Sequence, residues 1–207
     1  MSRLHAILDV DAAAAAGWDV ARLASAFLEG GARVIQLRAK RLASGRFLEH
    51  AEELVRAARP CGASIVVNDR VDIALLAGAA GTHVGQDDLP PAAARRLLGP
   101  GATIGRSTHT IAQIEAAAEE PVDYIAVGPV FGTRTKDTGY DAVGLELVAE
   151  AARRSRGRPV VAIGGITLER APEVIAAGAS GVAVITDLLA GGDPRARVAA
   201  YLRNLGL

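Results

Sequence analysis

The chain has 207 residues, half of them hydrophobic, which is enough for one sizeable core and marginal for two. Lys plus Arg equals Asp plus Glu at 23 each, so the zero net charge excludes a general nucleic-acid or membrane-surface footprint. Cys61 is the single cysteine, which excludes an internal disulfide and a cysteine zinc site.

Short apolar runs alternate with alanine-rich amphipathic stretches from one end to the other. Leu4–Leu8 is predicted as the first strand, and Met1–Asp9 lacks a secretory pattern, so a cytoplasmic protein is expected. No segment has the apolar length of a membrane span. Ala12–Ala16 is low-complexity and is read as a loop. A helix over Val20–Glu29 follows, then a strand over Val34–Leu37 and a helix over Gly45–Arg59. Further strands are predicted at Ile65–Val67, Gly81–Val84, Thr103–Gly105, Tyr124–Val127, Val160–Ile163 and Val182–Ile185. The helices between and after them are Val71–Leu76, Pro90–Leu98, Ile111–Glu119, Leu145–Arg154, Leu168–Ala177 and Arg195–Leu205. Apolar spacings of three and four carry the helices, as at Phe47, Leu48, Ala51, Leu54 and Val55. Gly30-Gly31, Gly78 and Gly178 supply their stops.

Eight strand–helix pairs in strict alternation predict parallel strands with crossover helices. No linker interrupts them, so residues 1–207 are expected to form one domain, a single (β/α)8 TIM barrel. The rival is an open doubly wound sheet. The barrel is preferred because polar clusters follow strands throughout the chain, whereas an open sheet concentrates them at one switch point.

In a barrel the C-terminal strand ends form the active face. After the second strand stand Gln36, Arg38 and Lys40, spaced by two, so that all three project to one face if the strand continues. Two cations there suit a diphosphate through charge-assisted bonds. The alternative is a solvated strand end paired to acids such as Asp9. Asn68-Asp69 ends the third strand, and Gln86, Asp87 and Asp88 follow the fourth. Asp69 and Asp88 on neighbouring ends suit Mg²⁺ shared with phosphate oxygens, against the alternative that each caps a helix. Asp87 is expected in solvent. Ser107 or Thr108 can cap the next helix, and the other can meet a phosphate. His109 is a candidate acid or base, or a surface residue. The long loop after the sixth strand carries Thr133, Thr135 and Lys136 and can act as a lid. Gly164-Gly165 and Ile185-Thr186 end the last two strands, where this fold commonly seats a phosphate. Two anion sites are thus expected.

These residues resemble the thiamine phosphate synthase family. The matching segments are QLRAK (Gln36–Lys40), VNDR (Val67–Arg70), THVGQDDLP (Thr82–Pro90), GRSTH (Gly105–His109), DYIAVGPVFGTRTK (Asp123–Lys136), AIGGI (Ala162–Ile166) and GVAVIT (Gly181–Thr186). The resemblance implies a (β/α)8 barrel that condenses two small phosphorylated heterocycles, a hydroxymethylpyrimidine diphosphate and a thiazole phosphate, to thiamine monophosphate and diphosphate. It implies Gln36, Arg38, Lys40, Asn68, Ser107 and Lys136 as ligands of the pyrimidine diphosphate, with Lys136, Arg38 and Ser107 acting in catalysis. It implies Asp69 and Asp88 as Mg²⁺ carboxylates, and Thr133, Thr135, Gly165, Ile185 and Thr186 as ligands of the thiazole phosphate. Thr186 stands where serine is common, Gly132 where proline is, and His5 and Leu8 replace the frequent tyrosine and threonine of the first strand. A related thiazole tautomerase on the same barrel is the alternative, but it gives Asn68, Asp69 and Asp88 no task. A non-catalytic phosphate binder is a third reading. Homo-oligomerisation is expected only from general habit.

Overall fold

The computed structural model describes residues 2–132 and 141–206. The strands are β1 (Leu4–Asp9), β2 (Val34–Arg38), β3 (Ser64–Asn68), β4 (Gly81–Val84), β5 (Thr103–Thr108), β6 (Tyr124–Val127), β7 (Val160–Ile163) and β8 (Gly181–Val184). All pair in parallel with their sequence neighbours, and β8 pairs with β1, closing the expected barrel. Around it lie α1 (Val10–Ala15), α2 (Val20–Glu29), α3 (Ser44–Ala58), α4 (Val71–Leu76), α5 (Pro91–Leu98), α6 (Ile111–Glu119), α7 (Gly144–Arg154), α8 (Ala171–Ala176) and α9 (Pro194–Asn204). Among the described residues no helix is long and apolar enough to cross a membrane.

The alternation of each strand sorts two environments. Leu4, Ala6 and Leu8 of β1 and Ile35 and Leu37 of β2 face the helices and join one large core with Leu23, Phe27, Phe47 and Leu54. Burying each such Leu or Phe contributes about 1.5–3 kcal/mol. The intervening residues point into the barrel. Ile7, Tyr124, Ala126, Val161 and Ala183 form a separate small cluster there, and His5, Gln36, Arg38, Asn68, His83 and Ser107 share that interior. The polar residues come from β1 to β5, and the β7 and β8 side is apolar.

Three elements depart from expectation. Ala12–Ala16 is no loop: α1 covers most of it, with the Asp9 side chain accepting from Ala12 N at 2.9 Å. Alanine is the strongest helix former and Asp a favoured cap, but Ala13 alone is buried, so no apolar stripe advertised the helix. Strand β5 runs past Gly105 to Thr108, because Ser107 and Thr108 still pair with Ala126 and Val127. Helix α8 starts at Ala171, later than predicted, with Pro172 in its first turn, where a missing N–H does no harm.

Candidate active site

The first wall is charged. Arg38 lies opposite Asp9 in the β1–β2 register, and the two form a buried ion pair. Asp9 also caps α1, so one carboxylate fixes both the helix start and the guanidinium. Arg38 Nε is buried with no partner among the described residues. Gln36 and Arg38 share the inward face as their spacing demanded. Lys40 lies beyond the strand end, so the alternation does not extend to it; it arrives through the loop and pairs with Asp69 at 2.5 Å.

Asp69 adopts a left-handed backbone, φ 62°, a conformation that costs a non-glycine residue about 1–2 kcal/mol. Burial pushes its carboxyl above the usual range; the neighbouring Asp88 carboxyl pushes the same way and Lys40 opposes. Asp88 accepts from Gly85 N at 2.7 Å. The helix-capping alternative for these acids does not hold: α4 and α5 have no side-chain cap. Asp87 is exposed, as expected.

Behind this wall is a polar interior. The His83 ring bridges Ser107 Oγ, 2.8 Å from Nε2, and the Tyr124 hydroxyl, 2.9 Å from Nδ1. Gln36 hydrogen-bonds the same hydroxyl, which burial holds well above the ordinary tyrosine range. Gly105 makes this contact possible: a Cβ there would stand 2.1 Å from Tyr124 Cζ and 2.5 Å from His83 Nδ1. His5 meets the Tyr124 ring edge-on at 5.1 Å. Its Nε2 is buried without a partner among the described residues, and burial pushes its pKa down to about 4. Asn68 is buried beside this group. His83 and Tyr124 were not anticipated as site residues. The available signal was a polar side chain at an inward position of an otherwise apolar strand.

The second wall is built from backbone. A cavity of about 400 Å³ opens over the ends of β6, β7 and β8. Gly164 and Gly165 turn through φ 101° and 61° at its edge, and Ile185 and Thr186 lie beside them. A Cβ at Gly165 would stand 2.7 Å from Gly132 O and 2.8 Å from Phe131 Cβ. Arg170 and His109 also line this cavity. Asp187 is held by Arg197 at 2.8 Å, Tyr201 Oη at 2.5 Å and Leu168 N at 3.1 Å, which ties the segment after β8 to α9. Thr133, Thr135 and Lys136 follow Gly132 and lie outside the described residues.

Neither Ser107 nor Thr108 caps α6. Thr110 does so, accepting from Gln113 N, while Thr108 Oγ1 donates to Ala126 O. Ser107 is left to His83. With Ala126, Ile163, Ala183 and Ile185 it lines both the polar interior and the large cavity, so the two spaces adjoin along these residues.

Comparison with known proteins agrees with this geometry. A family model described as thiamine monophosphate synthase matches residues 5–188. A thiamine-phosphate synthase of Mycobacterium sp. (strain KMS) is 50% identical over 187 residues, covering 86% of this chain and 82% of the relative. One from Koribacter versatilis (strain Ellin345) is 42% identical over 207 residues, covering 99% and 96%. The solved structure of a thiamine phosphate pyrophosphorylase from Pyrococcus furiosus superposes with a TM-score of 0.87 at 31% identity, covering 98% of this chain and 95% of that one.

Proposed function

The chain belongs to the thiamine monophosphate synthase family, and on that premise we propose which wall serves which substrate. The enzyme is a transferase of thiamine biosynthesis. It joins hydroxymethylpyrimidine diphosphate to thiazole phosphate, releasing diphosphate and forming thiamine monophosphate.

The charged wall holds the pyrimidine diphosphate. Arg38 and Lys40 face its phosphates, and Gln36, Asn68 and Ser107 bind it from the polar interior. Lys136 completes the set from the loop after Gly132. The glycine wall holds the thiazole phosphate on Gly165, Ile185 and Thr186, with Thr133 and Thr135 added from the same loop. The observation that carries this assignment is the seam at Ser107, where a cationic, polar crevice and a glycine-edged cavity meet. A reaction between two anionic heterocycles needs two anion sites sharing one border.

The donor set fits Mg²⁺. Asp69 and Asp88 bring two hard carboxylates together, with Lys40 paired to Asp69 beside them. Among the described residues no group of three or more acids, histidines or cysteines forms a complete cage. Mg²⁺ commonly takes one or two carboxylates and completes its shell with phosphate oxygens and water. Bound there, it would neutralise charge on the departing diphosphate.

The C–O bond between methylene and diphosphate breaks, the electron pair leaves with the diphosphate, and the thiazole nitrogen forms the new C–N bond. The electron-rich aminopyrimidine stabilises positive charge on the methylene, so no protein nucleophile is required. Arg38, Lys40 and Lys136 stabilise the leaving group, where positioned cations act most strongly. Ser107 at the seam helps align the two reacting atoms. An isomerase acting on one thiazole ligand would leave Lys40, Asp69 and Asp88 idle.

The test is to mix the protein with both heterocycles and Mg²⁺ and follow thiamine phosphate and diphosphate together. Equimolar appearance of both is expected, with loss of turnover on chelation and in Asp69→Ala. Full activity of Asp69→Ala, or full activity without metal, would remove the acids from this role.

A further inference from the structure

The thiazole phosphate is a dianion near neutral pH, yet the residues assigned to it above are neutral: backbone N–H groups and hydroxyls. Among the described residues lining that cavity, the arginine is Arg170 alone. The geometry points to Arg170 as the charged clamp on the phosphate of the second substrate, a role that rests on reading this cavity as the thiazole-phosphate site.

Three observations converge on it. Arg170 Nη1 donates to Gly165 O at 3.2 Å, so the guanidinium sits against the residue that turns the glycine edge. Its Cζ lies 4.6 Å from the centroid of the Phe131 ring, which holds the guanidinium plane by a cation–π contact. Of its five N–H donors, one is used by that carbonyl. Exposed Arg70, Arg154 and Arg156, by contrast, are each tied to an acid: Asp72, Glu150 and Glu119. Among the described residues no carboxylate pairs with Arg170. Even the adjacent Glu169 turns instead to Thr167 and Arg197.

The negative charge on the same wall does not cancel this cation. Asp187 lines the cavity, but Arg197 grips its carboxylate through two nitrogens and Tyr201 donates to it. Arg170 is therefore oriented and charged beside the neutral donors, with no carboxylate partner among the described residues. A charged donor strengthens an oxyanion bond about twofold over a neutral one, and the planar fork suits two phosphate oxygens at once.

The experiment is steady-state kinetics of the full chain, varying each substrate while the other is saturating. Arg170→Ala is expected to raise KM for thiazole phosphate about tenfold or more, with KM for the pyrimidine diphosphate unchanged. Arg170→Lys should fall between the two, keeping charge without the fork. The unphosphorylated thiazole alcohol, tested as substrate and as competitor, should bind wild type and Arg170→Ala equally. An unaltered KM for thiazole phosphate in a folded variant overturns the role, and so does an equal loss for phosphate and alcohol. If Arg170→Ala does not fold, Arg170→Gln is read by the same criteria. Wild type that joins no heterocycles overturns the substrate assignment itself, a failure visible before any variant is made.

Discussion

In the proposed assignment the two walls of the barrel mouth solve the same problem, holding a phosphorylated heterocycle, by different chemistry. From β1 to β4 the site is made of side chains: Asp9 against Arg38, Lys40 against Asp69, and Asp88 beside them. From β7 to β8 it is made chiefly of main chain, with Gly164 and Gly165 at positive φ beside a roomy cavity that Arg170 also lines. A leaving group gathers charge during reaction and rewards preorganised cations and a metal. A phosphate that only anchors the acceptor keeps its charge throughout and needs directional donors. The division of labour follows from which phosphate changes.

The largest effect should come from the charged side. Arg38→Gln keeps an amide to meet Asp9 and removes the charge; turnover should fall roughly 10²–10³-fold, the usual cost of losing one transition-state donor. A wild-type kcat with a raised KM would instead show that Arg38 merely binds, and the two walls would differ less than argued.

His5 sharpens the contrast from beneath the charged wall. It is neutral in the folded chain because burial depresses its pKa from 6.5 to about 4. Above pH 6.5 both states are neutral there and the group is silent. As pH falls through that value the unfolded chain takes up a proton that the folded chain refuses. Stability is therefore lost between about pH 6.5 and 4, by up to about 3 kcal/mol. Urea midpoints at neutral and acid pH measure it, and His5→Gln should flatten the profile.

A smaller effect is expected at Gly165→Ala. A Cβ there meets the backbone of Gly132 and Phe131 Cβ, and alanine at φ 61° is itself strained. KM for thiazole phosphate should rise about tenfold, equivalent to about 1.4 kcal/mol, the order of that strain, while KM for the pyrimidine diphosphate stays put. Equal changes in both would blur the border at Ser107.

Much of this was legible in the residues. The barrel followed from eight alternating pairs, and Gln36 and Arg38 declared one inward face by their spacing. Lys40 obeyed the same spacing for a different reason, since β2 ends at Arg38 and the loop delivers the lysine to Asp69. His83 and Tyr124 were hidden inside strands where they look like core. Their meeting depends on Gly105 of a third strand, a three-body relation that a linear pattern does not contain. Arg170 sits in a turn, where neither strand nor helix periodicity assigns it a direction. Asp9 was visible only as an acid within reach of Arg38, and that pairing is what the fold makes.

The left-handed backbone at Asp69 has an outcome for anyone improving this enzyme. Glycine at that position would relax the main chain and dispense with a half-buried carboxylate at one stroke. Selection for heat resistance alone would therefore drift toward discarding the carboxylate proposed to hold the metal. Hardening the barrel while keeping it working calls for holding residue 69 fixed and looking to the far end of the strands, away from the mouth.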